Sequence, residues 1–234
     1  YIPQVDQSVF EKSADFVYLC SNNTIFGTQY KNFPDTNGIP LVADMSSDIL
    51  ARKLDISKFG LIFAGAQKNV GPSGVTIVII RKDLLSRVND NTPSMLQYKS
   101  FAESNSLYNT IPTFGIYMIS LMTNWLQQYG GLEEMENKNN IKSNMLYDAI
   151  DSSGYYSCPV SEKDRSTMNV VFRIGTNETL EKKFIQEATQ AGLDGLKGHR
   201  SVGGLRASIY NSHPVEGVES LIDFMNTFQK NNPN

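Results

Sequence analysis

Residues 63–74 carry the sequence FAGAQKNVGPSG, which contains a single lysine, Lys68, in a turn rich in glycine and other small residues. The residues just before this turn, 60–64, are apolar and predict a short buried strand. Glycines on both sides of Lys68 would let a ligand approach the backbone closely. A lysine that stands alone in such a loop is usually a solvated surface residue, so its interpretation depends on the residues around it.

An acidic residue ends the preceding apolar run. Asp44 follows residues 39–43, which predict another strand, and considered alone it indicates a strand-end cap or a turn. An acid and a lysine at the ends of two successive strands could converge on one ligand. The pair suits pyridoxal phosphate (PLP), which needs a lysine amine for its Schiff base and a carboxylate to keep its pyridine nitrogen protonated.

Two further polar positions have both a structural and a functional interpretation. Thr24 ends the polar loop after the first predicted strand, either as a turn residue or as a hydroxyl that donates to the phenolic oxygen of the cofactor ring. Asn109 and Thr110 lie just before Pro112 and by themselves indicate a helix N-cap. Loop composition alone favours the structural interpretation of these positions.

A basic cluster lies near the C-terminus of this mildly acidic chain. Its members are Lys197, His199, Arg200 and Arg206. A solvated loop with scattered charges is one interpretation. The other is an anion site, because arginine binds carboxylate and phosphate groups with two parallel hydrogen bonds. In that case the cluster suits a substrate with two or three negative charges, and residues 203–204, both glycine, let the backbone turn tightly between the arginines.

The bulk composition is that of an ordinary globular protein, with 40% hydrophobic and 19% charged residues among 234. The net charge of -3 argues against a broad nucleic-acid surface. No apolar run reaches the roughly 20 residues of a membrane span. Cys20 and Cys158 match no metal-ligand spacing, so we expect no metal site and two reduced thiols in a cytoplasmic protein.

Apolar segments predict the elements of the fold. The strands are expected at residues 16–20, 40–44, 60–64, 74–80, 169–174 and 202–210, and the helices at residues 113–128, 132–151, 180–192 and 215–229. The first four strands are nearly continuously apolar, which favours an α/β sheet covered on both faces, although their connectivity stays open. Helix 113–128 is predicted to be buried, with Trp125 in the core. The final strands and helices predict a smaller α+β domain.

Several motifs together resemble one family. They are ADMSS at 43–47, AGAQKNVGP at 64–72, NTIPT at 109–113, KGHR at 197–200 and RASIYN at 206–211. These stretches, and essentially the whole chain, resemble the phosphoserine aminotransferases, which are class V, fold-type I PLP-dependent enzymes. The resemblance implies an α/β fold with a partial large PLP-binding domain, residues 1–130, that has a mainly parallel sheet. Residues 131–234 would form the smaller C-terminal α+β domain.

The resemblance also implies roles for individual residues. Lys68 looks like the Schiff-base lysine, Asp44 like the partner of the pyridinium nitrogen, and Thr24 like the hydroxyl beside the ring oxygen. Gln67 resembles a ligand of the cofactor phosphate. Asn109 and Thr110 resemble the pair that reaches the cofactor phosphate of the neighbouring subunit in a homodimer. The substrate-binding residues would be His199 and Arg200 for the distal phosphate or carboxylate and Arg206 for the α-carboxylate.

The implied reaction exchanges an amino group between glutamate and 3-phosphohydroxypyruvate, giving 2-oxoglutarate and phosphoserine. Some bacterial members of the family also act in pyridoxine biosynthesis. The family carries a further segment before the position of Tyr1, so we expect this chain to lack the N-terminal third. That segment would supply a glycine-rich turn for the phosphate, an aromatic residue stacked on the ring and a further His-Arg pair.

Two other functions stay open at this point. The chain could be a truncated, non-catalytic fragment or dimerisation module of the same enzyme. It could also be another PLP enzyme, such as a lyase or a desulfurase. The absence of a cysteine near residues 199–206 and the doubled anion cluster argue against a desulfurase.

Overall fold

The computed structural model describes residues 1–3, 5, 9–89 and 91–233. The strands are β1 (Val17–Cys20), β2 (Asn22–Asn23), β3 (Thr28–Gln29), β4 (Leu41–Asp44), β5 (Leu61–Gly65), β6 (Thr76–Ile80), β7 (Tyr156–Ser157), β8 (Asn169–Ile174) and β9 (Leu205–Ser208). The α-helices are α1 (Tyr98–Glu103), α2 (Thr113–Gln128), α3 (Gly131–Ser153), α4 (Glu178–Gln190) and α5 (Val215–Asn231). Short 3₁₀ helices cover Ile56–Lys58, Lys82–Arg87, Ser94–Leu96 and Glu162–Asp164.

The first sheet has the strand order β1-β4-β5-β6. Strands β1, β4 and β5 are parallel, and β6 pairs antiparallel with β5. Asp44 at the end of β4 lies opposite Cys20 on one side and Phe63 on the other. The carboxyl ends of the three parallel strands therefore share one edge of the sheet, which is where ligands bind in open α/β sheets.

The core of this sheet is made of small and medium apolar side chains. Ala43, Met45, Ala64 and Ala66 are fully buried. Coverage of the sheet is only partial, however, because Val78 and Ile79 on β6 remain 37% and 41% exposed. The prediction of a sheet covered on both faces is therefore wrong for β6 in this chain.

The second sheet, β7-β8-β9, is antiparallel throughout and packs with α3, α4 and α5 around a separate core. Phe184 lies at its centre, with its ring centroid 5.0 Å from those of Phe224 and Phe228 in edge-to-face geometry. The side chain of Asn177 caps α4 by accepting from the backbone N–H of Leu180 at 3.1 Å. Gly154, in the left-handed conformation, ends α3.

Helix α2 lies where the sequence predicted it, but its predicted burial is wrong. Phe114 and Tyr117 are 71% and 57% exposed, and Gly115 and Leu126 are its buried residues. Trp125 is half-buried, next to Tyr129 and the amine of Lys138, rather than within the core. The apolar pattern predicted the helix, but it could not show how little of this chain packs against it.

The remaining predicted strands and helices are present with small shifts of their ends, and the mainly parallel α/β sheet is confirmed. The sequence missed the β2–β3 hairpin, β7 and the short helix α1. Within the part of the chain that the structure describes, none of the helices has the length and apolar character needed to cross a lipid bilayer.

Candidate active site

Lys68 lies in a tight turn directly after β5. The N–H groups of Val70 and Gly71 both donate to the carbonyl of Ala66, at 3.1 and 3.0 Å, and so close this turn. The Nζ of Lys68 donates to Thr24 Oγ1 at 2.8 Å. Thr24 lies in the turn between β2 and β3, so the fold brings together two residues that are far apart in sequence.

The environment of Lys68 lowers the pKa of its amine below the ordinary value for lysine. Partial burial is the main cause, and the positive charge of Arg206 acts in the same direction. The negative charge of Asp44 opposes this shift, as does Cys20. More of the amine is therefore neutral, and so nucleophilic, near neutral pH than in an exposed lysine.

Asp44 is held at the end of β4 by the turn that follows it. Its Oδ1 accepts the backbone N–H of Ser46 at 2.8 Å, and Ser46 Oγ accepts the N–H of Gly65 at 3.0 Å. Cys20 lies opposite Asp44 on β1, and burial raises the pKa of its thiol. The half-buried carboxylate thus has a fixed place between the ends of β1 and β5, close to Lys68.

Gln67 precedes the lysine and is exposed. Its side chain folds back over Gly65, where an added Cβ would lie 2.6 Å from the Oε1 of Gln67. A side chain at position 65 would therefore displace the flexible end of the Gln67 side chain and no backbone atom. The predicted contact of Gln67 with a cofactor phosphate stays a prediction.

Arg206 lies on β9, opposite Val171 of β8. Its Nη1 donates to the carbonyl of Thr24 at 3.4 Å, which places it beside the lysine turn. Its Nε is buried and has no hydrogen-bond partner in the described part of the chain. Buried guanidinium N–H groups are normally paired, so this unpaired atom is unusual.

The basic loop, residues 197–204, turns tightly beside Arg206. The carbonyl of His199 accepts the N–H of Gly203 at 2.8 Å, and Gly198 donates to the carbonyl of Gly204 at 2.9 Å. His199 Nδ1 lies 2.7 Å from Ser201 Oγ, whereas Arg200 is exposed. His199 lines the same pocket as Arg206, together with Phe26.

Arg173 also lines this pocket, and the sequence indicated it only as a strand residue. Its Nε donates to the buried carboxylate of Glu181 at 2.6 Å, and its Nη1 donates to the carbonyl of Val202 at 3.2 Å. Arg173 therefore ties the basic loop to β8 and α4. No sequence signal separated this arginine from its strand neighbours.

Asn109 and Thr110 are not gathered with the other predicted site residues. Both are exposed just before α2, and the amide of Asn109 donates to the carbonyl of Thr110 at 3.0 Å. In the described residues neither side chain forms a hydrogen bond with Lys68, Asp44 or Arg206. Their predicted role at a neighbouring subunit stays a prediction.

Comparison with known proteins identifies the family of this site. The family model for aminotransferase class-V matches residues 3–221. The chain belongs to the class-V aminotransferases. This class-V aminotransferase is 54% identical over 230 residues to the phosphoserine aminotransferase of Lysinibacillus sphaericus, covering 98% of this chain and 63% of that relative.

Solved structures agree with this assignment. The phosphoserine aminotransferase of Bacillus circulans subsp. alkalophilus is 51% identical with a TM-score of 0.93, and the match covers 95% of this chain and 62% of that one. The PLP-bound phosphoserine aminotransferase of Trichomonas vaginalis is 40% identical with a TM-score of 0.89, covering 93% and 61%. The chain thus spans somewhat less than two thirds of each protein, and the predicted fold-type I architecture is confirmed.

Proposed function

We propose that this class-V aminotransferase chain binds PLP at Lys68 and contributes the amino-transfer site of a phosphoserine aminotransferase. The reaction would exchange an amino group between glutamate and 3-phosphohydroxypyruvate. The observation that carries the proposal is the placement of the Lys68 amine, 2.8 Å from Thr24 Oγ1 and close to the Asp44 carboxylate. The names of the similar proteins, one of them PLP-bound, support it.

The donor set fits this cofactor. A half-buried lysine amine with a lowered pKa suits covalent attachment of an aldehyde, and Asp44 supplies a carboxylate for a ring nitrogen. Thr24 supplies a hydroxyl beside the amine. Gln67, the residue before Lys68, would bind the cofactor phosphate. When bound, PLP would act as the electron sink of the reaction.

The side chains around the cofactor site would have separate chemical roles. Lys68 can release and take up a proton at Nζ more readily than an exposed lysine, because burial favours its neutral form. Thr24 can hold Nζ in place through the hydrogen bond that it accepts. Asp44 keeps a negative charge near the amine, which limits how far the pKa of Lys68 falls.

The basic residues suit the two substrates, which are both multiply anionic. Arg206, which lies beside Thr24, would take the α-carboxylate. His199 and Arg200 would take the distal group, which is a carboxylate in glutamate and a phosphate in the other substrate. A histidine–arginine pair can bind either anion.

Several finer predictions belong to the same proposal. They are a homodimer in which Asn109 and Thr110 reach the neighbouring site, a cytoplasmic location, a division into domains at residues 130 and 131, and a further role in pyridoxine biosynthesis. The exposure of Asn109 and Thr110 and the separation of the two cores support the dimer contact and the division.

The deciding experiment titrates the chain with PLP, traps the bound cofactor with borohydride and maps the modified peptide. The chain provides its own controls, because burial also lowers the pKa of Lys31 to about 8 and that of Lys142 to about 7. We expect the label on Lys68 and not on these two lysines. Labelling that follows amine pKa alone, with Lys142 or Lys31 preferred, would contradict the proposal.

A second measurement tests the reaction. The PLP-loaded chain is mixed with glutamate, and formation of 2-oxoglutarate is followed. A label at Lys68 without amino transfer would support the alternative prediction of a non-catalytic fragment of the enzyme.

A further inference from the structure

Three buried asparagines bind three consecutive carbonyl groups. The side-chain amide of Asn69 donates to the carbonyl of Ile49 at 2.6 Å, and that of Asn211 donates to Leu50 at 2.9 Å. The amide of Asn139 donates to Ala51 at 3.0 Å. The three residues are also joined to one another: Asn69 Oδ1 accepts the backbone N–H of Asn211 at 3.0 Å, and Asn211 Oδ1 accepts from the side-chain amide of Asn139 at 2.8 Å. We call these residues the asparagine network.

Each member of the asparagine network lies beside an element of the candidate site. Asn69 immediately follows Lys68, and the carbonyls of residues 49–51 lie in the turn that follows Asp44. Asn211 lies just beyond β9, the strand that carries Arg206. The network therefore joins the first core, which contains residues 19–70, to the second core, which includes α3 and β9.

The surroundings of the network make its geometry rigid. Asn69, Asn139 and Asn211 are 4%, 1% and 0% exposed, so loss of any hydrogen bond would leave a buried polar group unpaired. Leu50, one of the acceptors, has a left-handed backbone with φ of 57°, which a leucine rarely adopts without such support. The buried amine of Lys142 also donates to the carbonyls of Ile209 and Tyr210, at 2.9 and 2.7 Å.

We propose that Asn211 is a positioning residue. Its side chain acts through Leu50 and Asn139 to fix the turn after Asp44, and its backbone N–H holds the Lys68 turn through Asn69. This inference rests on the proposed function, because the geometry matters for catalysis only if Lys68 binds PLP. None of the three asparagines is assigned a contact with cofactor or substrate. Their effect on chemistry would come through the place that they give to the Lys68 amine.

The ionisation of Lys68 reports this placement. The groups that face its amine are Asp44 and Cys20 from the strand ends, Arg206 from β9, and the uncharged hydroxyl of Thr24. Replacing Asn211 with alanine removes the bonds of its side chain to Leu50 and Asn139. We expect this to loosen the turn that contains Leu50. Water should then reach the amine. Burial is the largest cause of the lowered pKa of Lys68, so its loss should outweigh any weaker attraction to Asp44.

The test measures the rate of acetylation of Lys68 by acetic anhydride against pH in the chain without cofactor, resolved by peptide mass spectrometry. For Asn211→Ala we expect the midpoint of the Lys68 profile to shift upward, towards that of an ordinary lysine, while Lys31 keeps its profile. Asn139→Ala, which leaves the bond between Asn211 and Leu50 in place, should give a smaller shift in the same direction. Asn139→Ala also tests the proposal if Asn211→Ala does not fold.

The matched control is Val218→Ala, a fully buried residue of the second core that has no polar contacts. It should lower the melting temperature and leave the Lys68 midpoint unchanged. An unchanged midpoint in both asparagine variants, or an equal shift in Val218→Ala, would overturn the proposal by showing that the network contributes stability alone.

The same variants are then titrated with PLP, and we expect about tenfold weaker binding for Asn211→Ala. The two proposals fail separately. If the unsubstituted chain takes no PLP at Lys68, the proposed function fails while the acetylation profiles still decide the role of the network. If PLP labels Lys68 but neither asparagine variant moves the midpoint, only the positioning proposal fails.

Discussion

The two sides of the candidate site are built differently. On the lysine side, Lys68, Asp44 and Thr24 are half-buried at the edge where parallel strands end, and hydrogen bonds hold each in place. On the arginine side, Arg200 is exposed, and the partner of His199 is Ser201, two residues away in the same loop. Arg206 stands between them, since it contacts Thr24 and keeps one unpartnered N–H.

This difference separates two kinds of function. The lysine side is preorganised by the sheet, so its substitutions should alter the chemistry for every substrate alike. The arginine side depends on a tight backbone turn, so its substitutions should alter affinity and choice of anion. Effects should therefore decrease from Lys68, through Asp44 and Arg206, to Arg200.

The largest effect is expected for Lys68→Ala. This change removes the proposed point of covalent attachment, so the borohydride-trapped PLP label should disappear completely and 2-oxoglutarate formation should fall to background. Lys31→Ala is the control, because that lysine also has a lowered pKa but lies beside Arg52 rather than Asp44. A label that persists in Lys68→Ala and vanishes in Lys31→Ala would exchange the roles of the two lysines.

The next effect is expected for Asp44→Asn, which keeps the shape of the side chain but removes its charge. Because the carboxylate raises the pKa of Lys68, its loss should move the midpoint of Lys68 acetylation to lower pH. Amino transfer should fall by roughly 10²–10³, as for the loss of one preorganised electrostatic group. Asp83→Asn, an exposed acid paired with Arg81, should change neither quantity. A midpoint that stays in place would show that Asp44 does not act on the amine.

The sequence predicted the lysine side better than the arginine side, for a physical reason. Buried parallel strands are continuously apolar, so their ends are visible in the sequence, and Lys68 and Asp44 lie at or just after such ends. The contact between Lys68 and Thr24 depends on the two-residue strands of the β2–β3 hairpin, which are polar and show no periodicity. The resemblance implied a role for Thr24 that the pattern alone could not establish.

Burial and buried polar contacts were the least predictable features. The apolar pattern of α2 predicted the helix, but whether its face is covered depends on what packs against it. Asn69 and Asn211 stand in quoted motifs without an assigned role, because asparagine indicates caps and turns in sequence and only the fold shows what its amide binds. Arg173 was missed for the same reason, because only the fold shows that its guanidinium binds Glu181.

An intermediate effect is expected for Arg206→Gln, which tests the residue shared by the two sides. Loss of a charge-assisted hydrogen bond costs about 1.5–3 kcal/mol, so affinity for O-phosphoserine, measured by calorimetry on the PLP-loaded chain, should weaken roughly 10–150-fold. Because Arg206 lowers the pKa of Lys68, the acetylation midpoint should rise, opposite to the shift for Asp44→Asn. If affinity falls without that rise, Arg206 belongs to the arginine side alone.

The smallest effect is expected for Arg200→Ala, because solvent screens the attraction between an exposed guanidinium and an anion. Affinity for O-phosphoserine should weaken about 1.4- to fivefold, since exposed charge pairs contribute only about 0.2–1 kcal/mol. The difference from the unsubstituted chain should shrink at high salt, whereas the loss in Arg206→Gln should persist because that contact is partly buried. Arg87→Ala, another exposed arginine outside the basic loop, is the matched control and should have no effect. A salt-independent loss for Arg200→Ala as large as that for Arg206→Gln would mean that the basic loop closes over its ligand and buries Arg200, and the two sides of the site would then be equally preorganised once substrate is bound.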